Sequence, residues 1–273
     1  MSSGRVLGVD ACRAGWIGIA LSGGDQPPGN LRPGNLRPRA ANPREARPGD
    51  WRPGDPQPRN AEPGNPRPYV APTIRQLAEL AVADGPLQVI AMDIPIGLAD
   101  TGRRRADQLA RQALGRRWPS LFITPVREAV EAGDFPAALA ANRRLAGEGI
   151  SRQAFALRAK ILDVDEWLRA TSPPPVRVVE VHPELSFAQL AGAPLAVRKS
   201  TWAGAERRRT LLAQAGITLP GDLGLAGEQA GVDDVLDAAA AAWTARRVIQ
   251  GMARSRPDPP EMFSDGLPSA IWT

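Results

Sequence analysis

Nine prolines fall at every fifth position from Pro28 to Pro68, in units such as PGNLR, PGDWR and PGNPR. Proline fixes φ and has no amide donor, so this spacing forbids a helix and a central strand along the whole stretch. Apolar residues are too few there to bury a core, and no unit repeats one at a fixed place, which argues against a solenoid. Residues 26–68 are therefore predicted to be a disordered or extended low-complexity insertion rich in Pro, Arg and Gly. Lengthening a turn from about 4 to about 45 residues costs only about 2 kcal/mol of closure entropy. The insertion also distorts the charge balance. It holds eight Arg against four acidic residues, and so carries most of the formal net charge of +5. Overall basicity is thus a property of this segment and gives little support to a nucleic-acid footprint.

What flanks the insertion has a clear order. Two bounded apolar runs, VLGVD and WIGIAL, read as strands joined by a tight turn, with Asp10 ending the first. A short extended piece follows at Tyr69–Ala71, then a helix opened by Thr73, with Gln76 placed for a capping box. LQVIAMD is a buried strand ending in Asp93, residues 103–170 read as helices, and VRVVEVH is a further strand. Helical patterns at about 184–191 and 200–215 precede a last strong helix, VDDVLDAAAAAWTARRVIQG. A hairpin followed by strands alternating with helices predicts an α/β sheet whose later strands run parallel to the first. The expected organisation is one domain over 1–273, with the insertion at 26–68 and a helical insertion at 100–172.

Two function classes drop out on residue counts. One cysteine leaves no internal disulfide, and one histidine leaves no Cys/His zinc cluster, so any metal must be held by oxygen. No apolar run approaches the ~20 residues of a membrane helix. The N-terminus MSSGRVLGVD lacks a charged-then-apolar signal region. A cytoplasmic location with no membrane partner is expected.

The acidic residues form a pattern. Three strands end alike: Asp10 closes VLGVD, Asp93 closes VIAMD, and Glu180 with His182 closes VVEVH. Ligands of open α/β sheets bind beyond the carboxyl ends of parallel strands. If those strands are neighbours, their carboxylates meet at one edge. The last helix adds Asp233, Asp234 and Asp237, whose spacings of three and four put them on one helical face. A single strand-end Asp is usually a turn former, and Asp233 and Asp234 also suit a helix N-terminus. Together, however, crowded carboxylates repel and resist ionisation unless a cation is present. The set suits a hard divalent ion such as Mg²⁺ or Mn²⁺.

These motifs together resemble the domain of unknown function 429 family, described as predicted nucleases with the ribonuclease-H-like fold. The carriers are GVDACRAGW, MDIPIGL, RRRADQLARQALGRRWPSLFITPVR, GISRQAFALRAKILDVDEWL, VVEVHPELSF, GAPLAVRKSTWAGAERRRTLL and DDVLDAAAAAWTARR, in that order. Ala11 and Ala14 stand where the first motif usually has glycine, and Phe155 where Trp is common. The resemblance implies a mixed sheet of order 3-2-1-4-5 flanked by helices. It matches Asp10 to the first-strand aspartate of the superfamily and sets Asp93 on the strand beside it. It likens Asp234 and Asp237 to the Asp-x-x-Asp of Holliday-junction resolvases. The implied reaction is two-metal hydrolysis of a phosphodiester, with ions about 3.5–4 Å apart. Asp10, Asp93, Glu180 and Asp234 would be its catalytic carboxylates, with His182 shuttling a proton.

Two basic clusters offer substrate contacts. Arg103, Arg104, Arg105, Arg111, Arg116 and Arg117 lie along the first inserted helix, and Lys199, Arg207, Arg208 and Arg209 further on. Arg104, Arg111, Arg116, Lys199 and Arg207 are expected to position phosphates of a nucleic acid or nucleotide phosphoester. Neither cluster is interleaved with aromatic residues, so no stacking platform for single strands is expected. A phosphotransferase of the sugar-kinase and actin type needs Gly and hydroxyl residues after the first Asp, where this chain has Ala11-Cys12-Arg13-Ala14. A non-catalytic nucleic-acid- or metal-binding module on the same fold is the other alternative.

Overall fold

The computed structural model describes residues 4–22, 66–115, 122–170 and 176–273. The predicted low-complexity insertion therefore lies outside the described residues, apart from its last three positions. Arg116 and Arg117 lie outside them as well.

The chain opens with β1 (Arg5–Cys12), β2 (Gly15–Leu21) and β3 (Arg67–Ala71), then α1 (Ile74–Ala83) and β4 (Leu87–Met92). Five helices follow: α2 (Arg105–Leu114), α3 (Arg127–Glu131), α4 (Phe135–Ala146), α5 (Arg152–Ala156) and α6 (Arg158–Ala170). Strand β5 (Arg177–Val181) precedes α7 (Pro183–Ala191), α8 (Trp202–Gln214), α9 (Leu225–Gln229) and α10 (Val232–Ile249). The described chain ends with β6 (Ser255–Met262) and β7 (Pro268–Trp272).

One sheet of order β3-β2-β1-β4-β5-β7-β6 runs through the molecule. The expected run 3-2-1-4-5 is present, and the sheet extends past it by two strands that the sequence did not suggest. Strands β1, β4 and β5 are mutually parallel, while β2 and β3 run antiparallel to their neighbours. β3 begins two residues earlier than expected and carries Pro68 opposite Ile19. Proline is tolerated there because β3 is an edge strand, with one side free of ladder bonds.

Period-two alternation splits the sheet residues between two cores. Val6, Val89, Ala91, Val179 and Val181 join α10, α7 and α8 on one face. Leu7, Val9, Ile90 and Met92 join α1 and α6 on the other. α10 lies unusually close to β1. A Cβ on Gly8 would fall 2.0 Å from the Ala242 amide nitrogen and 2.1 Å from the Ala238 carbonyl oxygen. Only glycine fits such a contact, and the alanines of α10 present no side chain long enough to hold the helix away.

Candidate metal centre

The close approach of α10 determines what meets at the carboxyl edge of the sheet. Asp10 is not the end of its strand, as the sequence suggested. It pairs with Ile17, and β1 runs on to Cys12. Its parallel partnership with β4 does stop at Val9 and Met92, with a last bond from the Asp93 amide to the Val9 carbonyl at 2.9 Å. The two strands part there, and a crevice opens. By alternation Asp10 follows Val6 and Gly8, and Asp93 follows Val89 and Ala91, so both belong to the α10 face. Asp237, on the second turn of α10, completes the group. Ligand oxygens of Asp10, Asp93 and Asp237 lie within 4.8 Å of one another.

Three acids this close cannot all be charged comfortably. Burial, and after it Asp93 and Asp237, pushes the Asp10 carboxyl well above the usual carboxylate range. Burial and then Asp237 do the same to Asp93. Asp237 is pushed up to about 6, mainly by burial, although Lys199 pulls the other way. The Lys199 Nζ donates to Asp237 Oδ2 at 2.6 Å and lies 3.7 Å from Asp233. Burial disfavours that ammonium, but Asp237, Asp10 and Asp93 outweigh it and hold it charged. Asp237 Oδ1 is buried with no hydrogen-bond partner. An unpartnered carboxylate oxygen inside a protein is costly. A ring of acidic oxygens without His or Cys is also the donor set a hard divalent ion takes. The residues present fit such an ion.

Other expected members of the site are elsewhere engaged. Glu180 borders the cavity, but alternation groups it with Val178 on the face away from α10, and both its oxygens are occupied. Oε1 and Oε2 accept from Arg104 at 2.6 and 3.0 Å, and Oε2 also accepts from the Ile96 amide at 2.9 Å. Arg104, expected to bind substrate phosphate, is fully buried and bonds Asp107 at 2.7 Å as well as the Ile96 and Gly97 carbonyls. Burial opposes its charge, but Asp107 and Glu180 more than compensate. It is an internal brace, not a surface cation. Asp234 accepts from the Gly231 amide at 3.0 Å and so caps α10. It borders the cavity without joining the three acids. Asp233 is half-buried beside Lys199.

His182 lies at the cavity wall as the N-cap of α7, its Nδ1 accepting from the Glu184 amide at 3.2 Å. That bond puts the proton of the neutral ring on Nε2. Of the basic residues, Arg207 is exposed and Arg111 half-buried on α2. Arg103 forks onto Glu148, and Arg208 is buried against Glu184 at 2.5 Å. Arg208 was grouped by sequence with the phosphate-binding cations, but it is a structural brace like Arg104. Its signal was legible in part: Arg208, Leu211 and Leu212 recur at helical spacing on the buried side of α8.

A cavity of about 500 Å³ spans these groups, lined by the three acids, Lys199 and Arg198 and bounded by Thr124, just before α3, and Gln153 of α5. The sheet and the cluster together define a mixed α/β protein that gathers three acidic side chains at the carboxyl edge of its parallel strands. The chain belongs to the DUF429 family, proteins of unknown function, whose family model matches residues 8–262. No curated protein and no solved structure matches it. Among the described residues no helix is long and apolar enough to cross a membrane.

Proposed function

We propose that this protein is a divalent-metal-dependent hydrolase of phosphodiester bonds, a nuclease built on a ribonuclease-H-like sheet. The observation that carries the reading is the convergence of Asp10, Asp93 and Asp237 within 4.8 Å, with an unpartnered Asp237 oxygen among them. The run β3-β2-β1-β4-β5, antiparallel then parallel, supports the fold part of the proposal.

Asp10, Asp93 and Asp237 would hold the ion, Mg²⁺ or Mn²⁺ by the hardness of the donors. Bound there, such an ion lowers the pKa of water and stabilises charge on a phosphoryl oxygen. The chain supplies the rest. Arg198 and Lys199 border the cavity from one loop and give a phosphate its positive partners. His182, on the cavity wall with its ring proton at Nε2, can donate a hydrogen bond to a phosphoryl oxygen. Glu180 and Arg104 fix the 94–97 segment that follows Asp93 through Ile96 and Gly97, which orients the second carboxylate.

The test is cleavage of labelled single-stranded, duplex and branched nucleic acids and of a small aryl phosphodiester, with Mg²⁺ or Mn²⁺ and with chelator. Parent protein should cleave at least one of these, and Asp10→Asn should not. Cleavage by Asp10→Asn at the parent rate would remove the reading. Metal and nucleic-acid binding without turnover would replace it with the binding module.

A further inference from the structure

The cluster already contains a cation, and it is held in place. Lys199 sits 2.6 Å from Asp237 Oδ2, on a turn fixed at several points. The Arg198 carbonyl accepts from the Thr201 hydroxyl at 2.8 Å and from the Thr201 amide at 3.2 Å. The same carbonyl presses so closely on α8 that a Cβ on Gly204 would fall 1.8 Å from it. Arg208, itself buried, reaches the Val197 carbonyl at 3.5 Å and anchors to Glu184. A surface lysine that pairs by chance is not supported in this way.

Charge and ligand supply agree with that placement. Three carboxylates and one ammonium leave two negative charges, which one divalent ion neutralises. A second ion would need further acidic oxygens. Glu180 has both of its oxygens bound by Arg104, and Asp234 turns one to the Gly231 amide. Asp237 divides its two oxygens between roles: Oδ2 takes the lysine, while Oδ1 is left without a partner.

We propose that Lys199 is the resident cation of the centre, occupying the place of a second metal, so that the site binds one divalent ion whose affinity Lys199 limits. This rests on the reading of Asp10, Asp93 and Asp237 as metal ligands. It replaces the two-ion arrangement that the family resemblance implies. A fixed positive charge within a few ångströms opposes the incoming ion, and at distances near 5 Å this is worth a factor of about ten even at the dielectric of water. The lysine thereby keeps the empty centre folded and sets the metal concentration at which it fills.

The experiment is titration of the metal-free full chain with MnCl₂, followed by calorimetry and by the spin-resonance signal of free Mn²⁺. Parent protein should bind one Mn²⁺ at saturation. Lys199→Met and the milder Lys199→Gln, which keeps a hydrogen-bond donor to Asp237, should bind Mn²⁺ at least about tenfold more tightly. Lys199→Arg should stay near the parent affinity. Two ions in the parent, or unchanged affinity in both neutral variants, would overturn the proposal while leaving a metal site in place. No Mn²⁺ binding by the parent or by any variant would overturn the metal reading itself, and the proposal with it.

Discussion

Replacing Asp237 by Asn isolates the electrostatic strain of the centre. The substitution keeps the shape of the side chain and removes its charge. Burial raises the Asp237 carboxyl in the folded protein from 3.8 to about 6, a value that already includes the opposing pull of Lys199. Because the folded pKa is the higher one, the native state binds the proton more tightly than the unfolded chain. The contribution of Asp237 to the stability of the metal-free protein is therefore fully present below the unfolded value near pH 4 and is lost as pH rises through about 6. About two units at roughly 1.4 kcal/mol each give a loss of about 3 kcal/mol at neutral pH. Coupling to Asp10 and Asp93 spreads that loss over a broad range of pH. Asp237→Asn cannot ionise, so it should match the parent at pH 4 and exceed it by up to about 3 kcal/mol at pH 7.5 in chelator. Urea unfolding of both proteins across that range measures the difference. Saturating Mn²⁺ should stabilise the parent by about 2.7 kcal/mol at a hundred times its Kd and leave the variant unmoved. A gap of constant size at every pH would refute the reasoning. So would a variant less stable than the parent at pH 7.5, since the ion pair with Lys199 would then outweigh the repulsion.

Arg104→Met should destabilise the fold by about 3–5 kcal/mol in chemical denaturation, because it strands the buried Glu180 and Asp107 carboxylates; a cost no greater than that of the exposed Arg207→Ser would contradict the bracing role. Gly8→Ala should force α10 off β1 and weaken Mn²⁺ binding by displacing Asp237, whereas parental Mn²⁺ affinity would mean that the close approach does not set the site. Deleting residues 23–65 and joining the ends with a short glycine turn should preserve cooperative unfolding, since Ala20 and Arg67 are already paired across β2 and β3. Loss of cooperativity in that deletion would show that the segment packs against the sheet.

Asp10 and Asp93 were legible in the sequence because each follows a bounded apolar run, and the hydrophobic pattern of VLGVD and VIAMD places a strand before it. Glu180 was legible as a strand residue but not by face. In VRVVEVH apolar residues occupy both phases, so alternation has no visible origin and the side of the sheet stays open. The choice between Asp234 and Asp237 had the same weakness. Helical spacing groups them, and only the Gly231 amide assigns Asp234 to the cap. Arg104 was hidden within a run of three arginines that reads as a basic surface. The pattern that placed it was nonetheless present, since Asp107, Ala110 and Leu114 continue its face of α2 at helical spacing. β6 was missed because Pro257, Pro259 and Pro260 argue against a strand. At the sheet edge, with its register broken between Arg256 and Glu261, it tolerates all three.

The helix that carries Asp237 lies near the end of the described chain, yet it covers the middle of the sheet. Strands β1, β2, β4 and β5 are all translated before residue 232, and the apolar face they form has α10 as its principal cover. At about 5–20 residues per second, synthesis of the chain between β5 and α10 leaves that face without its cover for about 3–10 s. Over the same interval Asp10 and Asp93 lack their third partner. The nascent chain therefore carries no assembled acidic cluster until its core closes. Completion of the fold and assembly of the acidic cluster are a single event.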